Sequence, residues 1–532
     1  MVSENMLELE KGTNSTAEEC LDALIERYGL SGYSRTDARK IASVCFGMKY
    51  LSFSVSSPYT FAEDVPTQTV SVIMEMSETY PGVKAESVSY REYNDKTSFS
   101  HILGVVGSIS SEEYEAESAK LTEKLNDDSL TATEITNIKN NSYSLDDSYG
   151  KSGIESAMEQ YLRGTNGIKT TTTASDGSVT EDYFIKPEQG NTVVTTIDAE
   201  LQKVAAQALA DMLKDNKNSS YFGTAGAMVV INCKTGAVLA NVSLPTYDIT
   251  RYYADYDKLA ADTESPLWNR GLQSAYAPGS TMKPAVALAA LEEGEITKGS
   301  TCYCGGTYVL EDQTFKCLSN HGSINVTTAL QKSCNIFFFD MGKALGIDKM
   351  NKYCGLLGLG QKTGVELPEA EGVLASIANK EAAGQVWNPG DTVQAAIGQS
   401  DNLFTPIQLA NYAATIANGG TRYQPYVIKS VLSADMSEII YETEPTILNT
   451  LNVSQENLDI VKQGMRQVML EGSSIYFDDC IVEVAGKTGT SQVMRTTESG
   501  VTMKCNNGFF ISFAPYDDPQ IAVAVVAENA LT

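Results

Sequence analysis

The stretch Ala277-Pro278-Gly279-Ser280-Thr281-Met282-Lys283-Pro284, with the apolar run Ala285 to Leu291 behind it, constrains this chain more than any other. Pro278 and Gly279 end the preceding segment and Ser280 falls where a helix begins. Pro284 is tolerated there because a first helical turn has no amide bonds to lose. Ser280 and Lys283 are three apart and share one face of that helix. The unbroken apolar run predicts a helix buried all round, which holds the pair rigid. A serine hydroxyl is a poor nucleophile until something takes its proton, and a lysine kept neutral by burial and a nearby cation does that. The helix N-terminus adds N–H groups for a developing oxyanion. Taken alone, the stretch reads more simply as a buried helix with a capping serine and a chance lysine.

The chain has 532 residues, enough for two or more domains with separate cores. A net charge of −28 argues against nucleic acid and against an anionic membrane surface as partner. No run of 18 apolar residues occurs and Met1 to Gly12 is polar and acidic, so neither a signal peptide nor a membrane helix is expected in the given sequence. That fits a cytosolic protein, or an extracellular part without its anchor. The ten cysteines are too sparse for a disulfide scaffold, yet Cys302, Cys304, Cys317 and Cys334 lie close together.

Residues 1 to about 190 read as mixed α+β. Helices are expected over Thr16 to Tyr28, late in Ala62 to Met76 (after a strand-like start) and from Lys151 to Gly164. Tyr80 to Val83 reads as a turn, Ala85 to Tyr93 as a strand, His101 to Gly107 as a buried strand or tight turn, and Lys169 to Phe184 as a hairpin turning at Asp176-Gly177. The lone His101 reads as a structural residue rather than a ligand. From Gly190 onward, Thr192 to Ile197 is a strand, Asp198 caps a helix to Leu213, and Gly226 to Val242 is a hairpin. A tyrosine-rich loop then leads to Ser280, helices dominate to Met469, and strands at 481–485, 508–514 and 521–528 close the chain. A sheet built from both ends of this region, with helices between and beside it, is the expected architecture.

An acyl-serine site needs partners for its Ser-x-x-Lys. Lys-Thr-Gly occurs at Lys234, Lys362 and Lys487, and only Lys487-Thr488-Gly489-Thr490 follows one predicted strand and precedes others. Gly486 and Gly489 remove side chains that would stop a substrate pairing with a strand edge. Serine-x-asparagine occurs downstream at Ser323, Ser333 and Ser400. Ser333-Cys334-Asn335 is preferred because it lies between two helical stretches, where a hydroxyl and an amide project together. The ordered set Ser280, Lys283, Ser333, Asn335 and Lys487 to Thr490 is far more specific than its parts.

With that set the chain resembles a class B penicillin-binding protein, most nearly the elongation type, over nearly its whole length. Tyr80 to Val83, Arg91-Glu92-Tyr93, His101 to Gly107 and Gly150 to Gly164 look like that family's pedestal. Gly226 to Tyr247, Gly398-Gln399, Thr405-Pro406 and Asn418-Gly419-Gly420 look like its catalytic domain. The resemblance implies an α+β fold: a mixed, dimerisation-like pedestal over 1–189, and a transpeptidase domain over 190–532 with a central antiparallel sheet and helices on both sides. It implies a peptidoglycan D,D-transpeptidase of cell-wall elongation and cell shape, acting on D-Ala-D-Ala stem peptides and acylated by β-lactams. Ser280 would be nucleophile, Lys283 its base, Ser333 the proton relay and Asn335 the holder of the substrate amide. Lys487 would supply positive field, Thr488 and Thr490 would bind the terminal carboxylate beside Gly489, and the N–H groups of Ser280 and Thr490 would form the oxyanion hole. A polytopic membrane glycosyltransferase is the expected partner, and the outer face of the cell membrane the expected location. The family's anchor, the arginine motif opening its pedestal and a final helix after Asn529 are missing, so a truncated or engineered piece is expected.

Cys304, Cys317, His321 and Cys334 are the ligand types of a closed zinc site, at spacings of 13, 4 and 13 residues. Disulfides or free thiols explain the same residues, and Cys302 could replace Cys304. The resemblance implies structural zinc here, since some elongation-type members bind a fourth ligand in the middle of serine-x-asparagine, the slot of Cys334. No cofactor is expected for catalysis. The competing functions are a serine β-lactamase, for which no suitable loop glutamate is evident, and a non-enzymatic β-lactam sensor or scaffold.

Overall fold

A computed structural model describes residues 15–50, 53, 59–76, 78–80, 82–85, 91–127, 129–145, 147–173, 179–216, 223, 225–472, 477, 480–496 and 502–530. The chain forms two compact units, Met1–Tyr90 and Arg91–Thr532. In the first, Thr16 caps the helix Ala17–Arg27 through a reciprocal box with Glu19. Leu30, Ala38 and Ala42 bury a small core between that helix and Arg35–Tyr50. A third helix, Thr67–Glu75, stands where the strand-to-helix reading placed one. The strand-like start at residues 62–66 forms no strand; only three residues separate Ala62 from the N-cap Pro66, which favours the helical turn. Pro81 of the predicted turn and 86–90 of the predicted strand lie outside the described residues, and 91–93 are not strand.

The second unit begins with segments that share the main core: Ile102, Ile154 and Met158 belong to the same buried cluster as Val286 and Phe338. The stretch His101 to Gly107 divides into a short helix, Ser100–Leu103, and a strand, Val106–Ser108. Gly104 between them has φ +79, and a Cβ there would lie 1.9 Å from the Ser152 carbonyl oxygen, so only glycine fits. His101 is structural as read: its ring bonds the Pro266 carbonyl at 2.7 Å and burial pushes its pKa down to about 4. The hairpin Ile168–Thr173/Val179–Ile185 is present, while its turn falls outside the described residues.

The centre of the unit is an antiparallel sheet of five strands. In spatial order these are Ala485–Thr496, Thr502–Ala514, Ile521–Ala530, Gly226–Asn232 and Val238–Leu244. Residues from both ends of the region therefore meet in one sheet, as expected. Helix Pro406–Ala417, buried along its whole length, packs on one face, and Ala199–Asn216 covers the other through Leu209 and Val230.

Three further sequence expectations need correction. The tyrosine-rich stretch before Ser280 is not one loop: it contains helices Tyr252–Ala261 and Arg270–Gln273. The region to Met469 also holds short strands, among them Cys302–Cys304, Thr307–Leu310, Gln313–Lys316 and Gly322–Ile324. Strands of three or four residues are too short for alternation to register. Finally, residues 481–484 are not strand and Ile481 is 99% exposed; the strand starts at Ala485 and carries Lys487 to Thr490 within it. Two glycines lowered the strand signal at the place where another backbone approaches.

Candidate active site

Ser280 sits in a 3₁₀ turn, Gly279–Met282, that runs into the helix Lys283–Glu292. Residues Lys283 to Leu291 are all buried, as the apolar run required. The turn is pressed against the edge strand of the sheet: Gly279 has φ +56, and a Cβ there would stand 2.3 Å from the Thr490 carbonyl oxygen. That strand is the outermost of its sheet, so one backbone edge faces the cleft, where the Thr488 and Thr490 carbonyls accept from Lys487 and Gln399. Along it Lys487, Gly489 and Ser491 are buried while Thr488 and Thr490 are exposed, the alternation of a strand that anchors one face and offers the other.

Ser333-Cys334-Asn335 forms the turn between helices Val326–Gln331 and Asn335–Leu356. The second helix breaks at Gly346, where φ is +70. Ser333 has φ +51, a left-handed geometry that costs a non-glycine residue about 1–3 kcal/mol and persists only where neighbours enforce it. Those neighbours are two lysines. Lys283 Nζ donates to the Ser333 carbonyl at 2.8 Å, to Ser333 Oγ at 3.1 Å and to Asn335 Oδ1 at 2.8 Å. Lys487 Nζ donates to the same Ser333 Oγ at 3.1 Å and to the Thr488 carbonyl at 2.9 Å. Both lysines are fully buried. Burial, reinforced by the Lys487 charge, holds Lys283 well below the ordinary lysine range, and burial brings Lys487 down to about 7.

The predicted site residues thus converge from three distant segments. The other candidates lie elsewhere. Lys234 pairs with Asp518 at a hairpin turn, and Lys362 is exposed in a loop fastened by Glu369, which accepts from the Thr363 and Gly364 amides. Ser323 is in a short strand. In the partly exposed Ser400 turn only Asn402 is buried, and its side chain donates to Met282 Sδ at 3.4 Å. Motif reading gave Gly398 and Gln399 no role, yet they clasp the site. The Gly398 carbonyl accepts from the Gly279 amide at 2.9 Å, and Gln399 Nε2 donates to the Thr490 carbonyl at 3.1 Å. Both contacts end on backbone groups of distant segments, Gly279 and Thr490, so motif reading does not disclose them.

Beside the Ser333 turn, Cys304, Cys317, His321 and Cys334 bring one ligand atom each within 4.8 Å of one another. His321 Nδ1 is 3.4 Å from Cys304 Sγ and 3.6 Å from Cys317 Sγ, and the Cys317 and Cys334 sulfurs are 3.7 Å apart. Tetrahedral zinc with ordinary bond lengths would set sulfur–sulfur edges of roughly 3.8 Å and sulfur–nitrogen edges of roughly 3.5 Å, so the residues fit that ion. Cys317 Sγ also accepts from the Asn335 amide, coupling the cluster to the site. Cys302 is not a substitute for Cys304. Its thiol donates to Asp340 at 3.0 Å, and burial with that carboxylate pushes it up to about 12.

Residues 226–531 match the description "Penicillin binding protein transpeptidase domain", and 3–195 match "Penicillin-binding Protein dimerisation domain". The chain belongs to the penicillin-binding protein transpeptidase family. It is 29% identical over 493 residues to the peptidoglycan D,D-transpeptidase MrdA of Acinetobacter baumannii, covering 87% of this chain and 68% of that one. Among solved structures it is similar to Pseudomonas aeruginosa PBP2 in complex with WCK 5153, at TM-score 0.66 and 32% identity over 82% of this chain and 86% of that one. It is also similar to a chain of a peptidoglycan synthase complex that coordinates polymerization and crosslinking, at TM-score 0.70 and 26% identity, covering 91% and 80%. The transpeptidase domain is that of a serine acyl-transferase, and the α+β arrangement of the penicillin-binding fold is the one described above. Among the described residues, no helix is long and apolar enough to cross a membrane.

Proposed function

We propose that this penicillin-binding protein is a peptidoglycan D,D-transpeptidase of cell-wall elongation, with Ser280 as its acylated nucleophile. Two buried lysine amines sharing the Ser333 hydroxyl, beside a serine on a rigid turn, carry the reading. Ser280 Oγ attacks the carbonyl of a D-Ala-D-Ala stem and neutral Lys283 takes its proton. The N–H groups of Ser280 and Thr490 hold the oxyanion, each worth about 3 kcal/mol. The C–N bond then breaks, and the proton returns through Ser333 to the departing D-Ala amine. An acceptor amine attacks the ester, restoring Ser280 and forming the crosslink. Asn335 holds the substrate amide, Lys487 supplies the positive field that keeps Lys283 neutral, and Thr488 and Thr490 hold the terminal carboxylate beside Gly489. A β-lactam acylates the same serine and leaves slowly.

The pedestal is assigned to 1–189 and the transpeptidase domain to 190–532. Zinc held by Cys304, Cys317, His321 and Cys334 would supply a structural crosslink that pins the Ser333–Asn335 turn. A polytopic membrane glycosyltransferase is the proposed partner, in line with the synthase complex that resembles this chain, with the catalytic domain on the outer face of the cell membrane. Incubation with a donor stem peptide ending in D-Ala-D-Ala and an acceptor amine tests the reading. Release of D-Ala with formation of the crosslinked peptide is expected; release without crosslink would mean a hydrolase, and no release would refute the assignment.

A further inference from the structure

The backbone that presents Ser280 is kept from winding into the helix behind it by two separate devices. In a regular α-helix the Ser280 carbonyl would accept from the amide of residue 284, and the Thr281 carbonyl from that of Ala285. Residue 284 is proline and has no N–H, so the Ser280 carbonyl accepts from the Lys283 amide in the tighter 3₁₀ pattern. The second rung is occupied by a side chain from another helix. The Tyr412 hydroxyl accepts from the Ala285 amide at 3.0 Å and donates to the Thr281 carbonyl at 3.2 Å. Tyr412 lies on Pro406–Ala417 and is wholly buried. The regular ladder accordingly begins only at Lys283.

We propose that Tyr412 is a positioning residue for the acyl-transfer step: its hydroxyl wedges open the Thr281–Ala285 rung and so holds Ser280 in the 3₁₀ turn. That turn is also where Gly279 meets Gly398 and the Thr490 carbonyl, so winding it would move Ser280 away from the strand edge it faces. Burial keeps the phenol protonated, so the hydroxyl can act as donor and acceptor together. Without it, the two backbone groups can close on each other directly, and a shift of an ångström at the reacting atom is enough to slow chemistry by up to about 100-fold.

The inference rests on Ser280 being the nucleophile, which the wild-type protein tests by itself through its penicillin adduct. Given that adduct, Y412F is compared with T415V, which removes another buried hydroxyl from the same helix, one bonded to the Asn411 carbonyl at 2.8 Å. For Y412F the limiting acylation rate constant with benzylpenicillin falls about 10- to 100-fold while the non-covalent binding constant stays within about twofold; T415V acylates as wild type even where it melts lower. Y412M, which fills the same buried space without a hydroxyl, slows acylation in the same way and serves if Y412F does not fold. Wild-type acylation by folded Y412F, or by folded Y412M where Y412F is unfolded, overturns the proposal. So does a loss in Y412F matched by T415V.

Discussion

Lys283 Nζ and Lys487 Nζ each lie 3.1 Å from one atom, Ser333 Oγ. Two ammonium ions cannot share a buried hydroxyl without one yielding its proton, and Lys283 is the neutral partner because burial, and after it the Lys487 charge, holds it well below the ordinary lysine range. The second-order acylation constant with benzylpenicillin should therefore fall at low pH as Lys283 gains a proton. It should fall again as Lys487 loses its charge through about 7. A bound carboxylate stabilises the Lys487 ammonium, so the alkaline limb of the limiting rate constant should lie higher than that of the second-order constant. Stopped-flow acylation across pH checks this; coincident alkaline limbs would contradict it.

Burying Lys487 opposes folding. Its folded value near 7 is below the unfolded value of about 10.4. Below the folded value both states bind the proton and the burial penalty is present in full; it is relieved as pH rises from there toward the unfolded value. K487M should therefore abolish acylation yet raise the melting temperature more at pH about 6 than at pH about 9. Calorimetry of folded K487M at the two values reads the difference directly.

Gly279 is held by its left-handed φ and by the Thr490 carbonyl. G279A places a Cβ 2.3 Å from that oxygen. The expected outcome is a loss of about 1–3 kcal/mol in urea unfolding, together with slower acylation because the nucleophile turn must retreat from the strand.

How far the sequence discloses this site depends on how each residue is held. Ser280, Lys283, Ser333, Asn335 and Lys487 are legible because their side-chain chemistry and chain order form a pattern, and the continuous burial of Lys283 to Leu291 follows from composition alone. The position of Lys487 to Thr490 within a strand is less legible, since Gly486 and Gly489 weaken the propensity that would announce it. Gly398-Gln399 is visible as a family-like motif, but its contacts run to backbone groups of Gly279 and Thr490, and Tyr412 reaches the nucleophile turn across 131 residues of sequence, so no local pattern reports these contacts.

For the cysteine cluster, protein purified without chelator should carry one zinc per chain. C317S should lose it, melt lower and acylate more slowly, because the Asn335 amide bonds the sulfur it removes. C302S should retain the metal, since the Cys302 thiol is engaged with Asp340. Elemental analysis and acylation rates of the variants decide it.

The central claim is that Ser280 forms a stable acyl-enzyme. Intact-mass spectrometry with peptide mapping, followed in time after adding benzylpenicillin, measures it most directly. The account predicts one adduct, located on Ser280, persisting long after free drug is removed and missing in S280A. An adduct that turns over rapidly, as in a β-lactamase, or no adduct at all, as in a scaffold, would contradict it.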